Sequence, residues 1–371
     1  MPRVKLVPQA ERPVRHNENC HQGDSAAVYA WCGEPAVHHI GVQRRELRTI
    51  GGSVMRKMCF DIRVGRYRLR MVDSVKVKHS VEQLSDTAEI VLPAMVEGSA
   101  LMVEEKLNVG DAVSIMLGYD DSLQTEFKGY LKAIRTDGGN LTLECEDALY
   151  LWDKKVNDEE LNGVSLHSLL TRVAAQIDPA YTVECDFDFS YDKFTIYYCT
   201  GRDVLKKVQE ETKANIYFSG NTLYVKPQYA EASERRVVFD FSRNIESADL
   251  KYRRASDKDV EVEVVLSLPN GKSIEHKAGK QGGKSIKKIV SGVPESELKK
   301  LADNEYNAWC YDGYEGSFTG WLVPYVEPGD SVKLHDADYE YKDGTYYVTG
   351  TEVSFSKDGG KRTVSLGRRI G

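Results

Sequence analysis

Val109-Gly110-Asp111-Ala112-Val113, followed downstream by Asp137-Gly138-Gly139, returns near the end of the chain as Pro328-Gly329-Asp330-Ser331-Val332, followed by Asp358-Gly359-Gly360. In each copy a strand-like run follows the Gly-Asp step, and the Asp-Gly-Gly turn leads into a further strand. Gly and Asp are turn residues for separate physical reasons: glycine reaches positive φ at no steric cost, and a short carboxylate bonds nearby backbone N–H groups. The same order at nearly the same spacing predicts one β unit present twice.

Working outward from the first copy, Phe60-Asp61-Ile62-Arg63-Val64 and Val75-Lys76-Val77-Lys78 alternate apolar and polar residues, and Ala88-Glu89-Ile90-Val91-Leu92 stops at Pro93. Val113 to Leu117, Phe127 to Ile134 and Leu141 to Glu144 complete a run of short strands with regular turns, the pattern of a small barrel or sandwich. Asp147 to Trp152 reads as a short closing helix. Around the second copy, Val260 to Leu268 and Ser273 to Lys277 flank the turn Pro269-Asn270-Gly271-Lys272. Pro294 opens a helix through Leu298, Leu301 and Trp309. Phe318 to Tyr325, Val332 to Leu334, Tyr346 to Phe355 and Arg362 to Leu366 supply the remaining strands.

Between the copies the period changes. Ser165 caps a helix whose apolar positions, Leu166, Leu169, Leu170, Val173, Ala174 and Ile177, fall on one face, and Asp178-Pro179 stops it. Strands are expected at Tyr181 to Phe189 and Phe194 to Tyr198. Thr200 with Asp203 resembles a capping box ahead of a helix bearing Val204, Leu205 and Val208, which runs to about Lys213. Asn215 to Phe218 and Thr222 to Val225 form a hairpin about Gly220-Asn221. The expected fold is mainly β with α+β: two related, tube-like β-barrel domains at 55–153 and 231–371, the latter with one helix, and a small α+β domain at 154–230.

Residues 1–54 differ from the rest. They carry Pro2, Pro8, Pro13 and Pro35 and show no sustained period, so they are expected to be a disordered or non-native extension. Gly51-Gly52-Ser53-Val54-Met55 fits translation of a ribosome-binding site just before a start codon, with Met55 as the true first residue.

The 371 residues suit two or three domains. With 41% hydrophobic and 29% charged residues the chain can build a sizeable core. A net charge of −7 argues against a general nucleic-acid binder, which would show a basic stripe. No apolar run approaches the roughly 20 residues of a membrane span, and Met1 to Ala10 holds no apolar core of a signal peptide. The cysteines, 20, 32, 59, 145, 185, 199 and 310, are odd in number and scattered, as expected of reduced thiols in a cytoplasm.

Chemistry-bearing motifs are weak. Ala278-Gly279-Lys280-Gln281-Gly282-Gly283-Lys284-Ser285 fits a relaxed phosphate loop, but the strand before it is polar. A plain Gly/Lys loop between a strand and a helix is the preferred reading. Cys20, His21, Cys32, His38 and His39 match no common zinc spacing. Nucleophile-elbow, zinc-helix and dinucleotide motifs are absent. Glu104-Glu105 and Asp120-Asp121 fall in expected turns, and His79, His167, His276 and His335 are spread over different units. No catalytic, cofactor-binding or metal residue is assigned, no cofactor is expected, and the chain is not read as an enzyme.

Val109 to Ile115, Phe127-Lys128-Gly129-Tyr130 and Leu141-Thr142-Leu143-Glu144-Cys145-Glu146-Asp147 resemble the first barrel of phage tail hub proteins. Pro328-Gly329-Asp330, Tyr346-Tyr347-Val348 and Thr363-Val364-Ser365-Leu366 resemble that family's closing strands. The resemblance covers 55–371, and the family includes the late-control D proteins of Mu-like phages and the hub part of the VgrG spike proteins of type VI secretion. It implies a structural baseplate hub in a contractile tail or related injection system. Three copies would form a homotrimeric ring of two barrels each, adapting a sixfold tail tube to a trimeric spike. Partners would be the tube protein, a separate spike protein and other baseplate proteins, with neither specific nucleic-acid binding nor a membrane span, and the location would be the virion tail baseplate. The chain lacks a β-helix needle and a muramidase signature. The alternative is a protein-binding module of a secretion system, since the strand–helix–strand run from Thr200 to Val225 also resembles the small domains that precede secretin pores.

Overall fold

The computed structural model describes residues 56–370, apart from 94, 97–98, 101–102, 104, 138, 187–188, 213, 227–234, 269–271 and 292–294, together with His38–His39. The expectations for the rest of 1–54, including the Cys20/Cys32 spacing and the start at Met55, lie outside the described residues. Two compact units are present. One comprises Met1–Val77, Thr87–Asp147 and Val353–Lys361; the other comprises Lys78–Asp86, Ala148–Glu352 and Arg362–Gly371.

The strands that begin in the first unit are β1 (His38–His39), β2 (Met58–Val64), β3 (Tyr67–Leu69), β4 (Ser74–Ser80), β5 (Thr87–Pro93), β6 (Met95–Val96), β7 (Ser99–Ala100), β8 (Ala112–Tyr119), β9 (Ser122–Asp137) and β10 (Asn140–Glu146). The main path is β2-β8-β9-β10-β5-β4. Alternation drives it: Val113, Ile115 and Leu117 on β8, Ala88, Ile90 and Leu92 on β5, and Leu141, Leu143 and Cys145 on β10 are all buried. β8 and β9 are joined by Asp120-Asp121, both at positive φ, the two-residue turn that matches strand twist.

In the second unit a 3-10 turn at Ala148–Asp153 leads to β11 (Glu159–Ser165), α1 (Leu166–Ile177), β12 (Thr182–Cys185), β13 (Ser190–Ile196), α2 (Gly201–Thr212), β14 (Asn215–Ser219) and β15 (Thr222–Lys226). β11 pairs with β13, and β12-β15-β14 form a second small sheet. The apolar faces of both helices meet Trp152, Phe194, Ile216 and Leu223 in one core. Each large aliphatic side chain buried there contributes about 1.5–3 kcal/mol of transfer free energy, an upper estimate because unfolded chains already bury some surface. Ser165 Oγ accepts from the Ser168 N–H at 3.2 Å, and the Asp203 carboxylate accepts from the Thr200 N–H at 2.8 Å. Both expected caps are therefore in place. The strands are shorter than expected at Tyr181 to Phe189, and Phe194 to Tyr198 gives way to Ser190–Ile196, because Tyr198 turns to φ +50°.

A second β set follows: β16 (Arg236–Asp240), β17 (Ile245–Arg253), β18 (Val260–Ser267), β19 (Ser273–Gly279), β20 (Lys284–Ser291), α3 (Leu298–Trp309), β21 (Gly313–Trp321), β22 (Ser331–His335), β23 (Gly344–Ser356) and β24 (Gly359–Arg369). β19-β18-β20 form a sheet that packs on α3 through Val262, Val264, Leu298 and Ala302. The helix expected from Pro294 begins at Leu298, after a 3-10 turn at Glu295–Glu297. The strand expected at Phe318 to Tyr325 is Gly313–Trp321. β16 and β17 were not anticipated at all.

The remaining strands run β16-β22-β23-β24-β21-β17 around Phe239, Phe318, Val332, Tyr346 and Val348. Numbered by position in the chain, the six strands of each set cross the sheet in the order 1-4-5-6-3-2. The sets differ in the pairing of their first and fourth strands: β2 and β8 are antiparallel, whereas β16 and β22 are parallel. The architecture is mainly β with several sheets; among the described residues each six-strand set is an open path rather than a closed barrel.

Candidate functional site

The duplicated turns match bond for bond. Gly110 lies at φ +93° and Gly329 at φ +92°. The Asn108 N–H donates to Asp111 Oδ2 at 2.9 Å, and the Glu327 N–H donates to Asp330 Oδ2 at 2.9 Å. Asp111 N–H bonds Asn108 O at 3.0 Å, as Asp330 N–H bonds Glu327 O at 3.1 Å. The Gly110 N–H reaches Leu131 O at 2.8 Å and the Leu131 N–H returns to Asp111 O at 2.8 Å. Gly329 and Val348 repeat the exchange at 2.9 Å, with Val348 N–H to Asp330 O at 3.0 Å. Each aspartate thus closes its own turn and locks it onto the fifth strand of its set. Asp330 is 4% exposed, so the bond is made out of water, where an unmade one is most costly.

The second half of the repeat is not equivalent. Asp137 pairs with Asn140, and Gly139 lies in the first turn, before the second strand begins. In the second copy β23 ends at Ser356 and β24 starts at Gly359, so Lys357-Asp358 is the turn and the glycines already lie in the strand. The shared Asp-Gly-Gly string therefore sits in a different position relative to its turn.

Of the carboxylates and histidines singled out in the sequence, Asp120, His79 and His335 have local partners. Asp120 Oδ1 accepts from the Lys57 N–H at 2.9 Å. Glu104 lies outside the described residues. His79 Nδ1 meets Asp86 Oδ2, and His335 Nδ1 meets Asp343 Oδ2, each at 2.7 Å. The other oxygen of each aspartate accepts the N–H of the residue after its histidine, Ser80 at 3.1 Å and Asp336 at 2.9 Å. Both pairs therefore tie the start of a β–β connection to its end. The hydrogen bond to Asp343 raises the pKa of His335 above its ordinary value. His167 is exposed on α1, and His276 lies half-buried on β19. No group of three or more His, Cys, Asp or Glu able to hold a metal occurs among the described residues.

The Ala278–Ser285 loop is corrected. It joins β19 to β20, strand to strand, and no helix follows it. β20 was missed because Lys284, Lys287 and Lys288 interrupt its apolar pattern. The Gly282 N–H points at Glu261 Oε2, at 3.3 Å, and Lys280 Nζ lies 2.7 Å from Asp259. The loop's other N–H groups, of Lys280, Gly283 and Lys284, bond the carbonyls of Val260, Lys280 and Asp259, so its donors are spent within the chain, and there is no helix N-terminus to hold an anion.

Elsewhere, burial works against the Asp61 carboxylate, but hydrogen bonds from Arg68 and Arg63 outweigh it and keep the group below its ordinary pKa. Arg68 lies 2.8 Å and Arg63 3.1 Å from it. Burial, with Glu144 beside it, pushes the Cys145 thiol up to about 12, which suits an inert core residue and not a nucleophile. What the sequence did not announce is surface: the outer edge of β17, and Tyr197, Tyr198, Tyr339 and Tyr341, all at least half exposed.

No protein-family model matches the chain, and neither does any curated sequence. Solved structures do match. A tail protein from Neisseria meningitidis MC58 aligns with a TM-score of 0.56 at 17% identity, covering 85% of this chain and 97% of that one. The 43 kDa tail protein of prophage MuSo2 from Shewanella oneidensis aligns at 0.55 and 13% identity, covering 83% and 98%. This is the fold of a phage tail protein. The same fold extends to a chain in the Francisella PdpA-VgrG complex, at a TM-score of 0.50 and 11% identity, covering 85% of this chain and 53% of that longer one. The tail-protein fold spans most of the chain.

Proposed function

We propose that the chain is a structural hub of a contractile-tail baseplate or a related injection machine, located in the virion tail. Three copies form a ring, and each contributes two tube-like β modules, near 55–153 and 231–371, that curl into barrels. The α+β part near 154–230 is carried beside them. The ring offers six similar positions to a sixfold tube and three to a trimeric spike supplied by a separate protein. Its task is symmetry matching and anchorage, with no catalysis.

One observation carries this: two strand sets in a single chain share the order 1-4-5-6-3-2 and the same locked Gly-Asp turn. A duplicated module is what lets a threefold assembly present six near-equivalent surfaces, and repeated heterologous contacts close into a ring when the rotation between copies permits. Native mass spectrometry tests the stoichiometry. A species of three chains is expected, and a strict monomer throughout the accessible concentration range contradicts the proposal.

A further inference from the structure

We infer that the connection between β22 and β23 is a docking site for an arginine side chain of a different, partner protein, which stacks between Tyr339 and Tyr341 and displaces Lys342 from them. This connection is what the two matched sets do not share. The fourth and fifth strands of the first set are joined by Asp120-Asp121 alone, whereas those of the second are joined by the whole of Asp336–Asp343. An element present in one copy only is not needed for the shared framework. Connections carried on a rigid frame are where binding residues collect.

The connection is held firmly. Its ends are tied by His335 and Asp343. Within it, the Asp338 and Tyr339 N–H groups donate to Asp336 Oδ1 at 3.1 and 3.2 Å. A 3-10 turn at Glu340–Lys342 closes with the Lys342 N–H on Tyr339 O at 2.8 Å. The rings are anchored from the core outward. Buried Tyr314 meets Tyr252 at 5.4 Å, Tyr252 meets Tyr341 at 6.4 Å and Tyr341 meets Tyr339 at 6.2 Å, all edge to face. Tyr341 is nonetheless 70% exposed and Tyr339 50%. Tyrosine offers a large contact area at a low cost in rotamer entropy, and a ring already held in place loses still less on binding.

The site already shows what it accepts. Lys342 Nζ lies 4.0 Å from the ring centroid of Tyr339 and 5.6 Å from that of Tyr341, within reach of a cation–π contact with both. The two rings stand at 88°, as two walls about one cation. Asp338 and Glu340 alternate with the tyrosines, and both carboxylates are exposed, with no side-chain partner among the described residues. At the base of the connection Asp336, Asp343 and Asp240 are set against His335, Lys333, Arg243 and Arg369. Lys251 and Arg253 alternate to the opposite face of β17 from Tyr252, where Arg253 and Lys258 meet Glu315 at 3.1 and 2.9 Å. At the tip, two carboxylates therefore face a single ammonium. A guanidinium suits the site better than that ammonium, because it is planar, stacks on aromatic rings and can bond a carboxylate through two N–H groups at once.

Titration of the full chain with an amidated Gly-Ser-Arg-Ser-Gly peptide, followed through the peptide's NMR signals, tests this; the urea midpoint of each variant reports its folding. Saturable binding is expected. The same peptide carrying citrulline, which keeps the shape of arginine and loses its charge, is expected to bind several-fold more weakly. Tyr339→Leu with Tyr341→Leu, and Asp338→Asn with Glu340→Gln, are each expected to weaken binding by about threefold or more. Lys342→Ala is expected to strengthen it, since the chain's own cation no longer competes. Absence of saturable binding, equal binding of the citrulline peptide, or a folded variant that fails to respond in the stated direction would overturn the inference. Tetramethylammonium bound as tightly as the arginine peptide would also overturn it, in favour of a small ammonium ligand. The hub assignment stands or falls separately, on the stoichiometry.

Discussion

Gly329 shows what a single residue contributes to the duplicated turn. Its φ is +92°, and an added Cβ would meet nothing nearer than Tyr347 Oη at 3.8 Å. The cost of Gly329→Ala is therefore conformational, about 1–2 kcal/mol, to be read as a lower urea midpoint with an unchanged slope. Gly118 differs: a Cβ there would sit 1.9 Å from Ser122 O, inside the β8–β9 turn, so Gly118→Ala must displace backbone and is expected to cost more. Cys145, with its thiol raised to about 12, is expected to resist a thiol-reactive reagent in the native protein and to react on unfolding; rapid native labelling would contradict its burial. The Gly-Asp pairs were legible in the sequence because glycine and aspartate each have a turn-specific reason to be there. The Asp-Gly-Gly register was not, because Asp358 and Asp137 look alike in sequence and only strand pairing shows which residues occupy the turn.

Among elements, α1 was the most legible, since cap, apolar face and stop signal agree. Ser165→Ala removes the acceptor for the Ser168 N–H and is expected to cost about 1 kcal/mol, measured by denaturant unfolding; no change would show that the cap is redundant. The connection between β22 and β23 depends on His335 and Asp343. The raised His335 pKa means that the pairing stabilises fully below the unfolded value near 6.5 and fades as pH rises through the folded value. Burial works against the Asp343 carboxylate, but the bonds from His335 and the Asp336 N–H outweigh it, so its pKa is lowered. Its contribution is present above about 3.8 and is lost as pH falls through the folded value. The imidazole signal of His335 is expected to titrate above 6.5 and to fall back in Asp343→Asn; a midpoint at or below 6.5 in the parent chain would refute the pairing. β17 was missed because Ile245–Arg253 is an edge strand whose exposed positions carry Glu, Ser, Asp and Lys, which blurs the alternation. β20 was hidden by its lysines for a similar reason. Edge strands answer to solvent and partners, and those are not written in the local period.

For the whole molecule, the duplication carries the functional conclusion. The strand order, the matched turns and the tail-protein fold agree, and they were foreshadowed by Val109 to Val113 and Pro328 to Val332. Electron-microscopic class averages of the purified full chain test the central claim most directly. The account predicts rings of threefold symmetry with six similar lobes around an opening. Particles that remain single chains, or that close with a symmetry other than threefold, would contradict it.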